Sequence, residues 1–504
     1  MREVDFAKQK TEGEKKQQNV ICCFAKLSLL QSLRDSFIIR GSLKYIYPPV
    51  AQVDNAADSD SEERGFESLR AGQTAPLSRL KEERIENKYE IIKYVFWRCL
   101  YYSLFNILSS LFFRGEKMKN NSTLVFTGDI GFDRYMYGKW NDEELISDEV
   151  LDFLRSADHV VANVEGPVAP VEQNTTKDGV QQLLHTIDPE AVKVLNKMNA
   201  DIWNICNNHI MDAGEYGIRT TLEIAKENGA KTIGAGMDIH EARKPVILDE
   251  AGGIGMFGIG YQRACRKADE NKAGCYSWSD LDEIQKTINE IKKTCRWCIV
   301  VAHAGEEFTP LPSPYTRERY RLYLEMGADI VVSHHPHVPM NYETVGDKII
   351  FYSLGNFIFD TDYQRSQFNT EFGLLIKLNF TETEFSWEPM GLEILRGPEH
   401  VVKAPLPRIF VDVQEEEFNL LSPLSAKMHI AATRRQMTYL NPARFKNATE
   451  EEWAEHFAEP LRTGRVPGET LDFFILYPLA EKAEAGEWKK SKLEDVKQYI
   501  LEQM

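Results

Sequence analysis

The chain has 504 residues, an apolar share of 43%, a charged share of 27% and a net charge of −17. The length exceeds what one core usually fills, so two domains with tails are expected of a composition that is ordinary for globular proteins. The acidic balance argues against a nucleic-acid partner, because phosphate contacts need basic patches, but not against a small anionic substrate reached through bound cations.

Residues 1–117 form an atypical extension with a Lys/Gln/Glu-rich start and the polar run DNAADSDSEERG. Within it, YVFWRCLYYSLFNILSSLFF (94–113) is long enough to span a bilayer, with Arg98 as its single charge. It lies too far from the start to be a signal peptide. Met118 opens MKNNSTLVFTGD, whose strand begins at once, and the preceding Arg114–Lys117 suits purine-rich codons of a ribosome-binding site. Residues 1–117 are therefore expected to be a mis-annotated start or a dispensable extension, with a membrane anchor through 94–113 as the alternative. Of eight cysteines, three precede residue 118 and five are scattered after it. An odd, scattered set is a poor disulfide framework and fits a cytoplasmic location. Cys295 and Cys298 have CxxC spacing but no second pair, so buried thiols are expected there.

From about residue 118 to 385, strand-like and helix-like segments alternate. Helices are expected at Asp188–Lys197, Gly214–Asn228, Asp280–Lys293 and Thr316–Met326, with strands at KTIGAG and GIGMFGIG. That alternation predicts right-handed crossovers and a mainly parallel sheet. Residues 386–504 read as a mainly helical region that packs on the core or mediates assembly.

Six apolar runs in the middle domain end in polar bursts. They close on Asp129, on Asn163 and Glu165, on Asn207, Asn208 and His209, on His303 and Glu307, on His334, His335 and His337, and on Asn356. Open α/β sheets bind ligands at the carboxyl ends of their strands, so these groups converge on one crevice. Acids, imidazoles and carboxamides together suit a site for divalent cations. In SHHPHV, His335 and His337 sit two apart and on extended backbone point to one side, while His334 faces the other way as a structural residue. Gly131, two residues after Asp129, leaves backbone space for a ligand. His209, beside Asn208, can give a proton to a leaving oxygen.

The order GD, NVEGP, NNHxxDxG, HAGEE, GADIVVSHHPHV and FYSLGNFIFD resembles the CapA capsule-synthesis and poly-γ-glutamate-synthesis proteins, a branch of the calcineurin-like metallophosphoesterases. The resemblance covers residues 121–362. It implies a four-layer α/β/β/α sandwich and a site for two divalent metal ions (Mn, Fe, Zn or Mg). Asp129, Glu165, Asn208, His303, His335 and His337 resemble the metal ligands, with Glu165 a candidate bridge. His209 resembles the general acid, and Arg134 resembles an arginine that orients an anionic substrate. Glu307 and Asn356 match positions that support the ligands or face the substrate. The chain departs from the superfamily's Asp-x-His opening, since Gly131 stands where the histidine is expected, and Glu165 replaces a bridging aspartate.

Two functional readings follow. One is a metal-dependent hydrolase acting on a phosphoester or related bond. The other is an accessory component of capsule or poly-γ-glutamate synthesis that uses the metal site for transfer, release or binding of the polymer. A degenerate binding module is disfavoured because almost every ligand position holds a competent ligand.

Overall fold

The structure, a computed structural model, describes residues 119–170, 184–260, 265–449 and 451–453, with His456 and the backbone of 176–177 and 180–181. The extension 1–117, with its apolar run 94–113, lies outside the described residues, as does 457–504. Among the described residues, no helix is long and apolar enough to cross a membrane.

The protein is mixed α/β, with two large sheets. Its main strands are β1 (Asn121–Ile130), β2 (His159–Val164), β3 (Ala200–Asn204), β4 (Lys231–Ile233), β5 (Val246–Leu248), β6 (Ile254–Gly260) and β7 (Trp297–His303). Then come β8 (Ile330–His334), β9 (Tyr342–Val345), β10 (Lys348–Phe351), β11 (Asn356–Ile358), β12 (Phe372–Thr381), β13 (Phe385–Leu395) and β14 (His400–Ala404). One sheet runs β14-β13-β12-β1-β2-β3-β4, with β11 also paired to β1. The other runs β9-β10-β8-β7-β6-β5. The expected parallel pairing holds at both centres, β1–β2–β3–β4 and β6–β7–β8–β10. Antiparallel strands complete the edges.

The longer helices are α1 (Asp148–Arg155), α2 (Val192–Lys197), α3 (Gly214–Glu227), α4 (Leu281–Thr294), α5 (Pro314–Glu325) and α6 (Glu415–Leu440). Sequence signals mark their ends. The Asp188 side chain accepts from the Glu190 amide ahead of α2, with Pro189 opening that turn. Ser313 does the same for α5, accepting from the Thr316 amide at 3.2 Å. After α3 the chain leaves through Gly229 at φ 75°, a left-handed conformation that glycine adopts freely.

Alternating side chains along the strands go to different cores. Phe126, Val161 and Ile202 of the first sheet pack with Ile299, Val332 and Phe351 of the second. Their neighbours Val125, Val160 and Trp203 pack instead with Leu151, Leu195 and Ile218 of α1, α2 and α3. On the second sheet, Phe257, Val300 and Val331 pack with Ile284, Ile288 and Tyr320 of α4 and α5. Both faces of each central strand are thus buried, which is why the sequence shows continuous apolar runs. Burial of each such side chain contributes roughly 1.5–3 kcal/mol.

The β-structure does not stop at residue 385, after which the sequence reading placed only helical segments. β13 and β14 carry the first sheet on to Ala404 as antiparallel ribbons. Their alternation is blurred because much of β13 is half exposed, so no clean two-residue period appears. The expected helix after Glu415 is present, and it packs on the core. Phe418, Leu421, Leu424 and Met428 of α6 meet Leu311, Ile409 and Val413, and Ala432 meets Phe308, Val338 and Tyr363.

Candidate metal centre

The site is built from strand register. Asp129 on β1 lies opposite Asn163 on β2 and Asn356 on β11, and Asn163 lies opposite Asn204 on β3. A line of hydrogen bonds follows the row. Asn204 Nδ2 donates to Asn163 Oδ1 at 2.7 Å, and Asn163 Nδ2 donates to Asp129 Oδ1 at 2.8 Å. On the other sheet His303 lies opposite Gly260 and His334. His334 closes the seam between the sheets, its Nε2 lying 2.9 Å from the Thr127 carbonyl and its Nδ1 3.3 Å from that of Ala302. It is structural, as the sequence suggests.

Five of the six expected ligands fall into groups able to hold a cation. Asp129, Glu165 and His337 form one group, and Glu165, His303 and His335 a second, each with ligand atoms within 4.8 Å of one another. Glu165 Oε1 lies 3.6 Å from His337 Nε2 and 3.8 Å from His303 Nε2. Asn208, the sixth, presents Oδ1 to His303 Nε2 at 2.9 Å. Its neighbour Asn207 is a loop staple: Oδ1 accepts from the Gly166 and His209 amides, and Nδ2 donates to the Val164 carbonyl at 2.7 Å.

Asp129 Oδ2, both oxygens of Glu165 and His335 Nδ1 are buried without a hydrogen-bond partner among the described residues. Buried polar atoms are normally paired, and a charge left in this state is costly. Burial, reinforced by Asp129, holds the Glu165 carboxyl well above the usual carboxylate range. Burial opposes charge on His337, yet the adjacent Glu165 and Asp129 outweigh it and push that imidazole up to about 10. Burial drives His303 and His335 the other way, toward the neutral form that ligates metals. These donors fit divalent cations of hard to borderline character.

Two sequence expectations fail locally. His335 and His337 are not on extended backbone: β8 ends at His334, and the two histidines adopt left-handed conformations at φ 97° and 59°. They reach the site because the loop turns, not because alternate strand residues share a face. The space at Gly131 does not serve a ligand. A Cβ there would lie 2.6 Å from the Phe359 ring, which packs 5.0 Å from the rings of His337 and His185. An aromatic side chain fills the space beside Gly131.

His209 stands at the edge of the groups, with Nε2 4.0 Å from Glu165 Oε1 and Nδ1 2.7 Å from Asp212 Oδ2. Burial holds its imidazole well below the ordinary value and pushes the Asp212 carboxyl up to about 6. His185, absent from the sequence reading, contacts His209 edge-to-face at 4.1 Å, and its Nδ1 pairs with Asp133. It lies in a loop before α2 rather than at a strand end, so no periodic signal marks it. Arg134 is not drawn into the cluster: it is exposed, and its guanidinium pairs with no described residue. Asn356 supports the ligands, with Oδ1 3.0 Å from His337 Nδ1. Glu307 forms a third group with His335 and His337.

Residues 123–361 match the family described as bacterial capsule synthesis protein PGA_cap. The chain is 33% identical over 250 residues to the PGA biosynthesis protein CapA of Bacillus subtilis (strain 168). Over this region the chain is similar to the CapA capsule and poly-γ-glutamate synthesis proteins. It is also 28% identical over 253 residues to the capsule biosynthesis protein CapA of Bacillus anthracis. The alignments cover 48% and 49% of this chain, and the chain spans 64% and 61% of those two CapA relatives. A probable polyglutamine synthesis accessory protein, Rv0574c of Mycobacterium tuberculosis (strain ATCC 25618 / H37Rv), is 23% identical over 56% of this chain and 78% of its own length. The three candidate cation-holding groups all lie within the matched residues 123–361, and the helix α6 follows them.

Proposed function

We propose that the region from residue 118 to the end of the first sheet is a metal-dependent hydrolase of metallophosphoesterase type, with a four-layer α/β/β/α arrangement. The helix–sheet, sheet–sheet and sheet–helix cores support that layering. The observation that carries the reading is the set of unpartnered buried atoms on Glu165 and His335, beside Asp129 and His337, which a cation would satisfy. Asp129, Glu165, Asn208, His303, His335 and His337 would hold two divalent ions, Glu165 being common to two of the groups. Bound there, such ions supply Lewis acidity and an activated water for attack on a phosphoester or related bond.

His209 carries the proton for the leaving oxygen. Asp212 fixes its ring through Nδ1, so that Nε2 faces Glu165. As Asp212 takes up a proton near pH 6, its O–H donates to Nδ1 and the hydrogen of His209 sits on Nε2. Arg134, exposed and unpaired among the described residues, offers its planar fork to an anionic substrate.

The second reading keeps the metal site but assigns it to transfer, release or binding of a capsule or poly-γ-glutamate polymer alongside other synthesis components. The similarity to the PGA and capsule biosynthesis proteins CapA favours it. Elemental analysis of the purified chain and a His335→Ala variant tests the shared premise, with about two equivalents expected in the parent and fewer in the variant. A nitrophenyl phosphomonoester and phosphodiester screen then separates the readings, since turnover lost in His209→Ala supports the hydrolase. Metal without turnover favours the polymer role, and a folded chain that holds no metal overturns both.

A further inference from the structure

We propose that Glu307 is a seventh cation-holding side chain and that the C-terminal helix α6, through Gln436, sets its position. The inference rests on the metal reading above and extends the site beyond the family region.

Glu307, His335 and His337 present ligand atoms within 4.8 Å of one another, and this group shares its two histidines with the groups around Glu165. Glu165 would otherwise be shared by both ions, with Asp129 as the only other carboxylate. A third acid beside His335 and His337 gives the second ion an anionic ligand of its own, which hard and borderline cations favour.

The carboxylate is held for that task. Both of its described hydrogen bonds fall on one oxygen: Tyr363 Oη donates to Oε2 at 2.9 Å, and Gln436 Nε2 donates to the same atom at 3.2 Å. Oε1 takes no hydrogen bond from a described residue. Two neutral donors orient the group and leave its charge for a cation, whereas an arginine would have neutralised it. The loop is pinned as well. Phe308 sits at φ 59°, its amide donates to the Pro336 carbonyl at 2.9 Å, and its ring stacks at 6.0 Å on His337. Strained non-glycine residues on both facing loops persist only where packing over-determines them. Part of that packing is Ala432 of α6 against Phe308, Val338 and Tyr363. Arg435 adds a bond from Nε to Gln367 Oε1 at 2.9 Å. Tyr363 and Gln436 both follow residue 361, where the family match ends.

The test uses the full chain, stripped with chelator and titrated with Mn²⁺, read by calorimetry and elemental analysis. The parent is expected to take up about two equivalents. Glu307→Gln is expected to retain about one, and Gln436→Ala to bind both with the weaker site loosened by about tenfold, the usual scale for losing a supporting hydrogen bond. Circular dichroism of the stripped proteins shows whether the variants fold; Gln436 is only half-buried, so its variant carries the test if Glu307→Gln does not fold. Unchanged stoichiometry and affinity in both variants would overturn this inference while leaving the metal reading in place. An unaffected Gln436→Ala beside a defective Glu307→Gln would remove α6 from it. A parent that binds no Mn²⁺ would overturn the metal reading itself.

Discussion

The Glu165 cluster and the Glu343 network are both buried and both charged, yet they are built in opposite ways. Glu343 is fully enclosed, and every neighbour serves it. Arg317 donates from Nε at 2.9 Å and from Nη2 at 2.6 Å, Tyr352 donates its hydroxyl at 2.7 Å, and Arg321 pairs with it as well. Arg317 also reaches Glu415, so the network ties α5, β9 and α6 together. Glu165 is equally enclosed, but neither of its oxygens has a hydrogen-bond partner. A satisfied buried acid holds elements in place. An unsatisfied one beside imidazoles and a second acid is a position whose stability depends on something that binds.

Glu343→Ala gives the largest expected effect. It leaves the Arg317 charge buried with only Glu415 to answer it, which should cost about 3–5 kcal/mol in urea unfolding. A loss under about 1 kcal/mol, the scale of an exposed pair, would break the contrast. At the other cluster the sign reverses. In chelator, Glu165→Gln should be no less stable than the parent, because it removes an unpaired buried carboxyl. Adding Mn²⁺ at a hundredfold excess over its dissociation constant should raise the parent's unfolding free energy by about 2.7 kcal/mol and leave Glu165→Gln nearly unmoved. Equal stabilisation of the two proteins would remove Glu165 from the site.

Much of this contrast is legible in the sequence on one side and invisible on the other. Asp129, Glu165, Asn208, His303 and His335 each end an apolar run or sit within a few residues of one, and parallel register brings such ends together. What periodicity could not give is the conformation of single loop residues. The left-handed turns at His335 and His337, and the Phe359 ring over Gly131, depend on contacts between segments distant in sequence. His185 and Gln436 escaped for the same reason, since a loop and a helix away from the strand ends deliver them from the side. Glu343 is one glutamate in a short edge strand, and nothing local marks it as the acid beneath two arginines.

Asp212 sharpens the comparison at intermediate size. Burial raises its carboxyl from 3.8 to about 6. A raised acid contributes stability that is fully present below its unfolded value and is lost as the pH climbs through its folded value. The chelated parent should therefore lose stability between about pH 4 and pH 6, and Asp212→Asn should not. The variant keeps an acceptor for the His185 amide, which donates to Asp212 Oδ2 at 2.8 Å. It should exceed the parent by about 3 kcal/mol at pH 7 and match it at pH 4. The opposite slope would mean that Asp212 is held ionised and so belongs with the satisfied acids.

The smallest expected effect concerns Cys295 and Cys298, whose spacing is that of a metal or redox pair. Both lie in the apolar core under α4, with Ile291 and Val300. Burial pushes the Cys298 thiol up, away from the thiolate that a metal or an exchange reaction requires. The Cys295 sulfur has the Thr294 hydroxyl at 3.7 Å, which a serine in its place can still engage. Cys295→Ser should therefore cost about 1 kcal/mol or less, the scale of a small core change that keeps its hydrogen bond. Its Mn²⁺ stoichiometry should equal the parent's. If that variant instead lost a metal equivalent, the apolar core would no longer be separate from the site, because these thiols are buried among aliphatic side chains rather than beside acids and imidazoles.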